Sequence, residues 1–219
     1  MQTDIVEEMY RNKQADYFSL EREIFKNAIT GSGLVILDVG CGTGVLGKYF
    51  MSHQQCKVYG IEINSEAYEI AKDNLVEVIR ANVETLDLPY KSDMFDIVIM
   101  GDVLEHLVNP IGAISKLMRV LKPGGKILIT VPNVRHWKVI FRLLCRDEWK
   151  YMPWGILDYT HLRFFTKSSI IGMMNENGFN VTKADWVIQK PSKSSLINKV
   201  TFGLFSGLLA SHTFLTLQK

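Results

Sequence analysis

The chain has 219 residues, 47% of them hydrophobic, and 25 Lys and Arg against 23 Asp and Glu give a net charge of +2. That size supports one α/β domain with a sizeable core, and scattered basic residues in so small an excess lack the electrostatic footprint that duplex nucleic acid demands, so no nucleic-acid partner is expected. Cys41, Cys56 and Cys145 are odd in number and far apart, which argues against a disulfide framework or a zinc site; no metal is expected, and a reducing cytoplasm is the expected location.

The opening residues "MQTDIVEEMY" lack the basic start and apolar centre of a secretory leader, so export is not expected. Next, "ADYFSLEREIFKNAI" places Tyr17, Leu20, Ile24 and Ala28 at the three-to-four spacing of an amphipathic helix. "LVILDV" is a continuous apolar run, as in a strand covered on both faces, and a short helix from about Val45 leads to a second strand, "KVYGIEI". Asn64 or Ser65 caps the helix "SEAYEIAKDNL", then "VEVIRAN" and "FDIVIMG" read as the third and fourth strands. Asn109 and Pro110 open a helix that ends before "KPGG", and "KILITVP" is a fifth strand.

From Asn133 to Thr166 the alternation is interrupted by "RHWKVIFRLLCRDEWKYMPWGILDYTHLRFF", which holds three of the four tryptophans, at 137, 149 and 154. These are core residues or ligand stackers. Thr166 then caps the helix "KSSIIGMMNEN", Gly178 ends it, and "FNVTKADWVI" is a sixth strand. "QKPSKSS", Gln189 to Ser195, has a linker's composition. The uncharged stretch from Val200 to Leu217 is about as long as the ~18-residue minimum for a membrane span. Ser, Thr, His and Gly interrupt it throughout; core helix and strand, or an apolar face over a substrate pocket, fit better, and stable membrane insertion is not expected.

Strands alternating with helices imply an α/β doubly wound, mainly parallel sheet, because parallel strands need crossover helices that cover both faces. Ligands of such sheets sit beyond the carboxyl ends of the strands, which selects Asp38 to Gly44, Glu62, Asn82 to Glu84 and Gly101 to His106. In "ILDVGCGTGVLGKYF", glycines at 40, 42 and 44 allow a narrow turn against which a ligand touches backbone. A dinucleotide fingerprint wants Gly or Ala at position 45, where this chain has Val45. Asp38 would repel a diphosphate and attract a cation, and both features oppose a nicotinamide-dependent oxidoreductase.

"ILDVGCGTG", "VYGIEIN", "FDIVIMGDVLEHLVNP" and "LKPGGKILITVPN", in that order, resemble the motifs of the class I S-adenosylmethionine-dependent methyltransferases, a broad bacterial methyltransferase-domain group, over nearly the whole chain. The resemblance implies a Rossmann-like seven-stranded sheet whose last strand is antiparallel and can be short. It implies one domain over 1–219: a helical cap (1–30), a cofactor core (31–132), an acceptor-site insertion (133–166) and a C-terminal part (167–219).

The implied cofactor is S-adenosyl-L-methionine, held by Asp38, Gly40, Cys41, Gly42, Thr43 and Gly44. Glu62, with Ile63, takes both ribose hydroxyls. Asn82, Val83 and Glu84 meet adenine, Asn82 standing where the family commonly has aspartate. Gly101, Asp102 and Val103 line the methionine part, and Tyr17, with Tyr10, closes over the cofactor. "DYTHLRFFT" resembles a stretch of related bacterial enzymes in which Tyr159 and Arg163 would face the acceptor; Arg163 pairing with Asp158 to hold the loop is the structural alternative. His106 and His161 are the candidate proton acceptors, and spacing does not choose between them. The function so implied is direct methyl transfer to a small-molecule or sugar- or lipid-linked acceptor, at oxygen, by a monomer or homodimer. The alternative is a protein that binds the cofactor without catalysis, as a regulator or assembly partner.

Overall fold

The structure, a computed structural model, describes residues 23–188 and 192–219. In chain order these form α1 (Glu23–Ala28), β1 (Val35–Val39), α2 (Val45–Gln54), β2 (Lys57–Glu62), α3 (Ser65–Ala71), β3 (Glu77–Arg80), β4 (Phe95–Gly101), a 3-10 turn (Leu104–His106), α4 (Pro110–Val120), β5 (Leu121–Pro132), α5 (Trp137–Arg146), α6 (Lys167–Glu176), β6 (Asn180–Val187), α7 (Lys193–Val200), α8 (Ser206–Leu209) and β7 (His212–Gln218). The strands make one sheet in the order β3-β2-β1-β4-β5-β7-β6. β7 lies antiparallel between β5 and β6; the other pairings are parallel. β7 is antiparallel as expected and, at seven residues, as long as β4. The apolar stretch that ends at Leu217 supplies it.

The period-two geometry of a strand sorts the core into two layers. Leu37, Val98, Met100, Ile127, Ile129 and Leu215 point to the face covered by Ile114 and Leu117 of α4 and by Ile170 and Met174 of α6. Ile36, Val58, Ile99, Leu128 and Phe214 point to the other, against Phe25, Leu46 and Phe50. Both faces of β1 are therefore buried, which explains its unbroken apolar run. Phe25 of α1 and Ile29 just after it point inward, with Ala28 exposed. That moves the expected stripe by one position, because the larger Phe25 and Ile29 also stand one turn apart and bury more area. Tyr10, Tyr17 and Leu20 lie outside the described residues.

The caps follow the side-chain chemistry. Asn64 accepts from the Ala67 amide at 2.8 Å and Asn109 from Gly112 at 2.9 Å. Ser192 and Ser195 form a capping box at the start of α7, so the C-terminal part of the supposed linker is a helix start. "KPGG" falls within β5, where the register against β4 shifts between Phe95 and Ile97. The interrupted stretch contains α5, which the alternation did not reveal.

Val39 pairs with Ile61 and with Met100, so the ends of β1, β2 and β4 stand level at one edge of the sheet. β1 is where the strand order reverses, the point at which such sheets open a crevice. Among the described residues no helix is long and apolar enough to cross a membrane. Thr166 forms a reciprocal capping box with Ser169 at the start of α6. Thr166→Ala should lower the unfolding free energy by about 1 kcal/mol in urea titration and leave ligand affinity unchanged.

Candidate functional site

Beyond Val39 the chain turns through Gly40, Gly42 and Gly44 at φ of +68°, +55° and +77°. Left-handed backbone costs a side-chain-bearing residue ~1–2 kcal/mol, so the alternate spacing of the glycines is a run of alternate left-handed positions. The amides of Gly40 and Cys41 donate to the Ile61 carbonyl at 2.8 and 3.2 Å, and a Cβ on Gly40 would lie 2.8 Å from Val103 Cγ2. The turn is thus wedged between the ends of β2 and β4.

Glu62 fastens it there. Oε2 accepts from the Gly42 amide at 2.8 Å, and Oε1 accepts from the amides of Ile63 and Asn64 at 2.9 and 2.8 Å. Burial pushes the Glu62 carboxyl pKa up, and these amide donors offset the rise only in part. A carboxylate offers about four lone-pair directions, which leaves one, on Oε2, for a ligand hydroxyl. Burial, Asp38 and Glu62 together raise the Cys41 thiol well above its ordinary range, so it stays protonated.

A cleft opens at this edge beyond the ends of β1, β2, β3 and β4. Asp38, Glu62, Glu84 and Asp102 are on its wall, and no Lys or Arg is among the described lining residues. Such a wall attracts a cation and repels phosphate, and it fits a sulfonium-bearing nucleoside without a diphosphate. Asn82 Oδ1 accepts from the Glu84 amide at 2.9 Å, holding the loop after β3. Asp102 sits at φ +54°, strained for a non-glycine residue. Thr130 holds it: the hydroxyl donates to Asp102 Oδ1 at 2.8 Å, and the Asp102 amide donates to the Thr130 carbonyl.

Beside this wall, Glu105, His106 and His161 each bring a possible ligand atom within 4.8 Å of the others. The amides of Leu162 and Arg163 donate to the Glu105 carbonyl at 2.8 and 3.1 Å, latching the insertion onto the turn after β4. The rings of His106 and His161 are consequently 4.8 Å apart between centroids. His106 lines the cleft, whereas His161 stands behind it with Nε2 3.9 Å from Glu105 Oε1 and Nδ1 3.0 Å from the Ile156 carbonyl. Burial, then His161, lower the His106 pKa to about 4.

The cleft gathers Asp38, Gly40, Cys41, Gly42, Glu62, Ile63, Asn82, Val83, Glu84, Gly101, Asp102, Val103 and His106 from the sequence candidates. Thr43 and Gly44 are not among the residues that line it. Gly44 faces Ala71, Asn74 and Leu75, and the Thr43 carbonyl accepts from Asn74, so both serve the packing of α2 on α3. Arg163 donates from Nε to the Leu107 carbonyl at 3.0 Å and from a terminal nitrogen to that of Val108, so two of its donors brace a loop. Tyr159 is 38% exposed on the insertion and off the cleft wall. Leu46, Ala81 and Leu107 line the cleft without having been singled out; as apolar residues they carry no signal that separates wall from core.

A sequence profile described as "Methyltransferase domain" matches residues 10–184. The mitochondrial ubiquinone biosynthesis O-methyltransferase of Schizosaccharomyces pombe is 26% identical over 194 residues, 80% of this chain and 69% of that protein. A tRNA (carboxymethyluridine(34)-5-O)-methyltransferase of Arabidopsis thaliana is 41% identical over 103 residues, 46% of this chain but 24% of that protein. In fold, the chain is similar to a SAM-dependent methyltransferase from Archaeoglobus fulgidus, with a TM-score of 0.68, 16% identity and 99% of each chain covered.

The half-buried His106 imidazole makes stability depend on pH. His106 stays neutral in the folded chain down to about 4, whereas its ordinary value is 6.5. Acidification through that window protonates the unfolded chain alone. The His106 contribution is therefore complete above 6.5 and is lost progressively as pH falls to about 4, by up to ~3 kcal/mol at about 1.4 kcal/mol per pKa unit. In urea titrations at pH 7 and 5, His106→Asn should show a smaller loss on acidification than the parent chain.

Proposed function

Because the chain belongs to the methyltransferase-domain family, whose cofactor is S-adenosyl-L-methionine, we propose that it methylates a hydroxyl oxygen of a small-molecule or sugar- or lipid-linked acceptor, with His106 taking the proton. The observation that carries this reading is a neutral imidazole on the wall of an acid-lined cleft. His106 Nδ1 lies 3.1 Å from the Thr160 carbonyl; that contact assigns the proton to Nδ1 and leaves the Nε2 lone pair as a base. Both named relatives act at oxygen by their names. The acidic wall of Asp38, Glu62, Glu84 and Asp102 favours a small acceptor over RNA.

The cofactor supplies a methyl group already electrophilic on its sulfonium, so the protein's part is binding, alignment and exclusion of water. In this reading the backbone of Gly40 to Gly42, with Asp38, cradles the amino-acid and ribose portions, and Glu62 Oε2 takes a ribose hydroxyl. Asn82, Val83 and Glu84 border the adenine, and Gly101, Asp102 and Val103 border the methionine chain. His161 is a positioning residue: it packs against the His106 ring and helps keep that imidazole neutral. A catechol or sugar panel incubated with methyl-labelled donor tests the reading. Label in an alkali-stable ether supports it, and label on nitrogen, or none transferred at all, refutes it.

Glu62→Ala should weaken S-adenosylhomocysteine binding by roughly 1–3 kcal/mol in calorimetry, the cost of stranding groups that a buried charge had satisfied; unchanged affinity would remove Glu62 from the site. His161→Ala should leave that affinity nearly intact and lower turnover. Its sharper signature is the pH profile. With the neighbouring ring gone the His106 pKa rises, so the acidic limb, where the base becomes protonated, moves to higher pH.

A further inference from the structure

α5 is turned inside out for a helix on a water-facing surface. Its one buried residue is Val139, while Trp137, Phe141 and Leu144, spaced to share a helix face, are exposed by 43%, 48% and 76%. α7 has no buried residue, and its Leu196, Ile197 and Val200 lead into a turn where Phe202 is 99% and Leu204 80% exposed. Phe202 is held there at φ +50°. Among the described residues, the exposed large hydrophobics all fall between 137 and 162 or between 196 and 205, apart from Ile70, Val76 and Val108.

The two segments adjoin. Asn133 Nδ2, just before α5, donates to the carbonyls of Gly207 and Ala210 in the stretch that follows α7. Both segments spring from the cleft's edge of the sheet, where Pro132 and Val187 pair with His212. Basic side chains are interleaved with the apolar ones: Lys138, Arg142, Arg146 and Lys150 on the first segment, Lys193 and Lys199 on the second. From 133 to 156 the acids are Asp147 and Glu148, and from 192 to 211 there are none.

We propose that this surface seats the protein on an anionic lipid bilayer, with α5 and the turn at Phe202 lying in the headgroup region and the cleft opening beside the membrane. Tryptophan and tyrosine next to Lys and Arg match the chemistry of that interface. A protruding phenylalanine enters a fluid medium without a matching pocket, which a protein partner would have to provide. The surface binds lipid whether or not the acceptor is lipid-linked, so the proposal stands apart from the assignment of methyl transfer to oxygen.

Co-sedimentation with vesicles of phosphatidylcholine, alone or mixed with phosphatidylglycerol, tests it. Binding to the mixed vesicles should be roughly tenfold or more tighter and should weaken with salt, since each basic side chain near an anionic surface contributes about fivefold, ~1 kcal/mol. Phe202→Glu with Leu204→Glu should lower binding at least about tenfold with melting temperature and S-adenosylhomocysteine affinity unchanged, as both side chains lie in solvent. In the parent chain, brominated lipid in the mixed vesicles should quench tryptophan fluorescence. Absence of binding to mixed vesicles, absence of quenching, or binding indifferent to the double substitution overturns the proposal. So does a concentration-dependent dimer that the double substitution dissociates while vesicles remain unbound.

Discussion

The carboxylate of Glu62 is the point on which the cleft depends. One buried group ties two backbone segments through three amides: the glycine turn after β1 through Gly42, and the exit of β2 through Ile63 and Asn64. A buried charge is costly unless it is satisfied, and each amide it accepts offsets part of that cost while fixing a loop. The left-handed glycines are the complement of this arrangement, since a turn drawn so close to a strand end leaves no room for ordinary backbone. The ligand inherits a prearranged wall, with one acceptor direction still open on Oε2.

Electrostatics then narrows what that wall accepts. Acids at 38, 62, 84 and 102 on the described wall favour a cationic nucleoside over a diphosphate. Asp102 is held in a strained conformation by Thr130 from the neighbouring strand, so the end of β4 is shaped by β5 and not by its own local preference. The same edge carries the insertion, whose backbone is latched to Glu105. That latch brings a histidine from the insertion against a histidine of the β4 turn, and the pair's burial keeps His106 neutral.

The interrupted stretch and the segment after β6 are where pattern reading met its limit. α5 has the length and amphipathicity of a core helix, but its apolar face points outward, because Val139 alone is held by the body of the fold. Periodicity reveals that a face exists and not which way it turns. Arg163 has the planar fork of an anion-binding residue, yet two of its donors go to the carbonyls of Leu107 and Val108. Only the path of the neighbouring loop could reveal that.

The sequence by itself determined the alternation of strands and helices, the caps at Asn64, Asn109 and Thr166, and the glycine turn with its acids, because each rests on local backbone and side-chain chemistry. It also carried the family and its cofactor, through motifs that recur in fixed order. Tertiary structure alone decided the one-residue shift of the α1 stripe, the packing of Thr43 and Gly44 off the cleft lining, and the choice of His106 over His161 as the histidine on the cleft. These depend on which surfaces meet across distant parts of the chain, and such contacts leave no periodic trace in a single sequence.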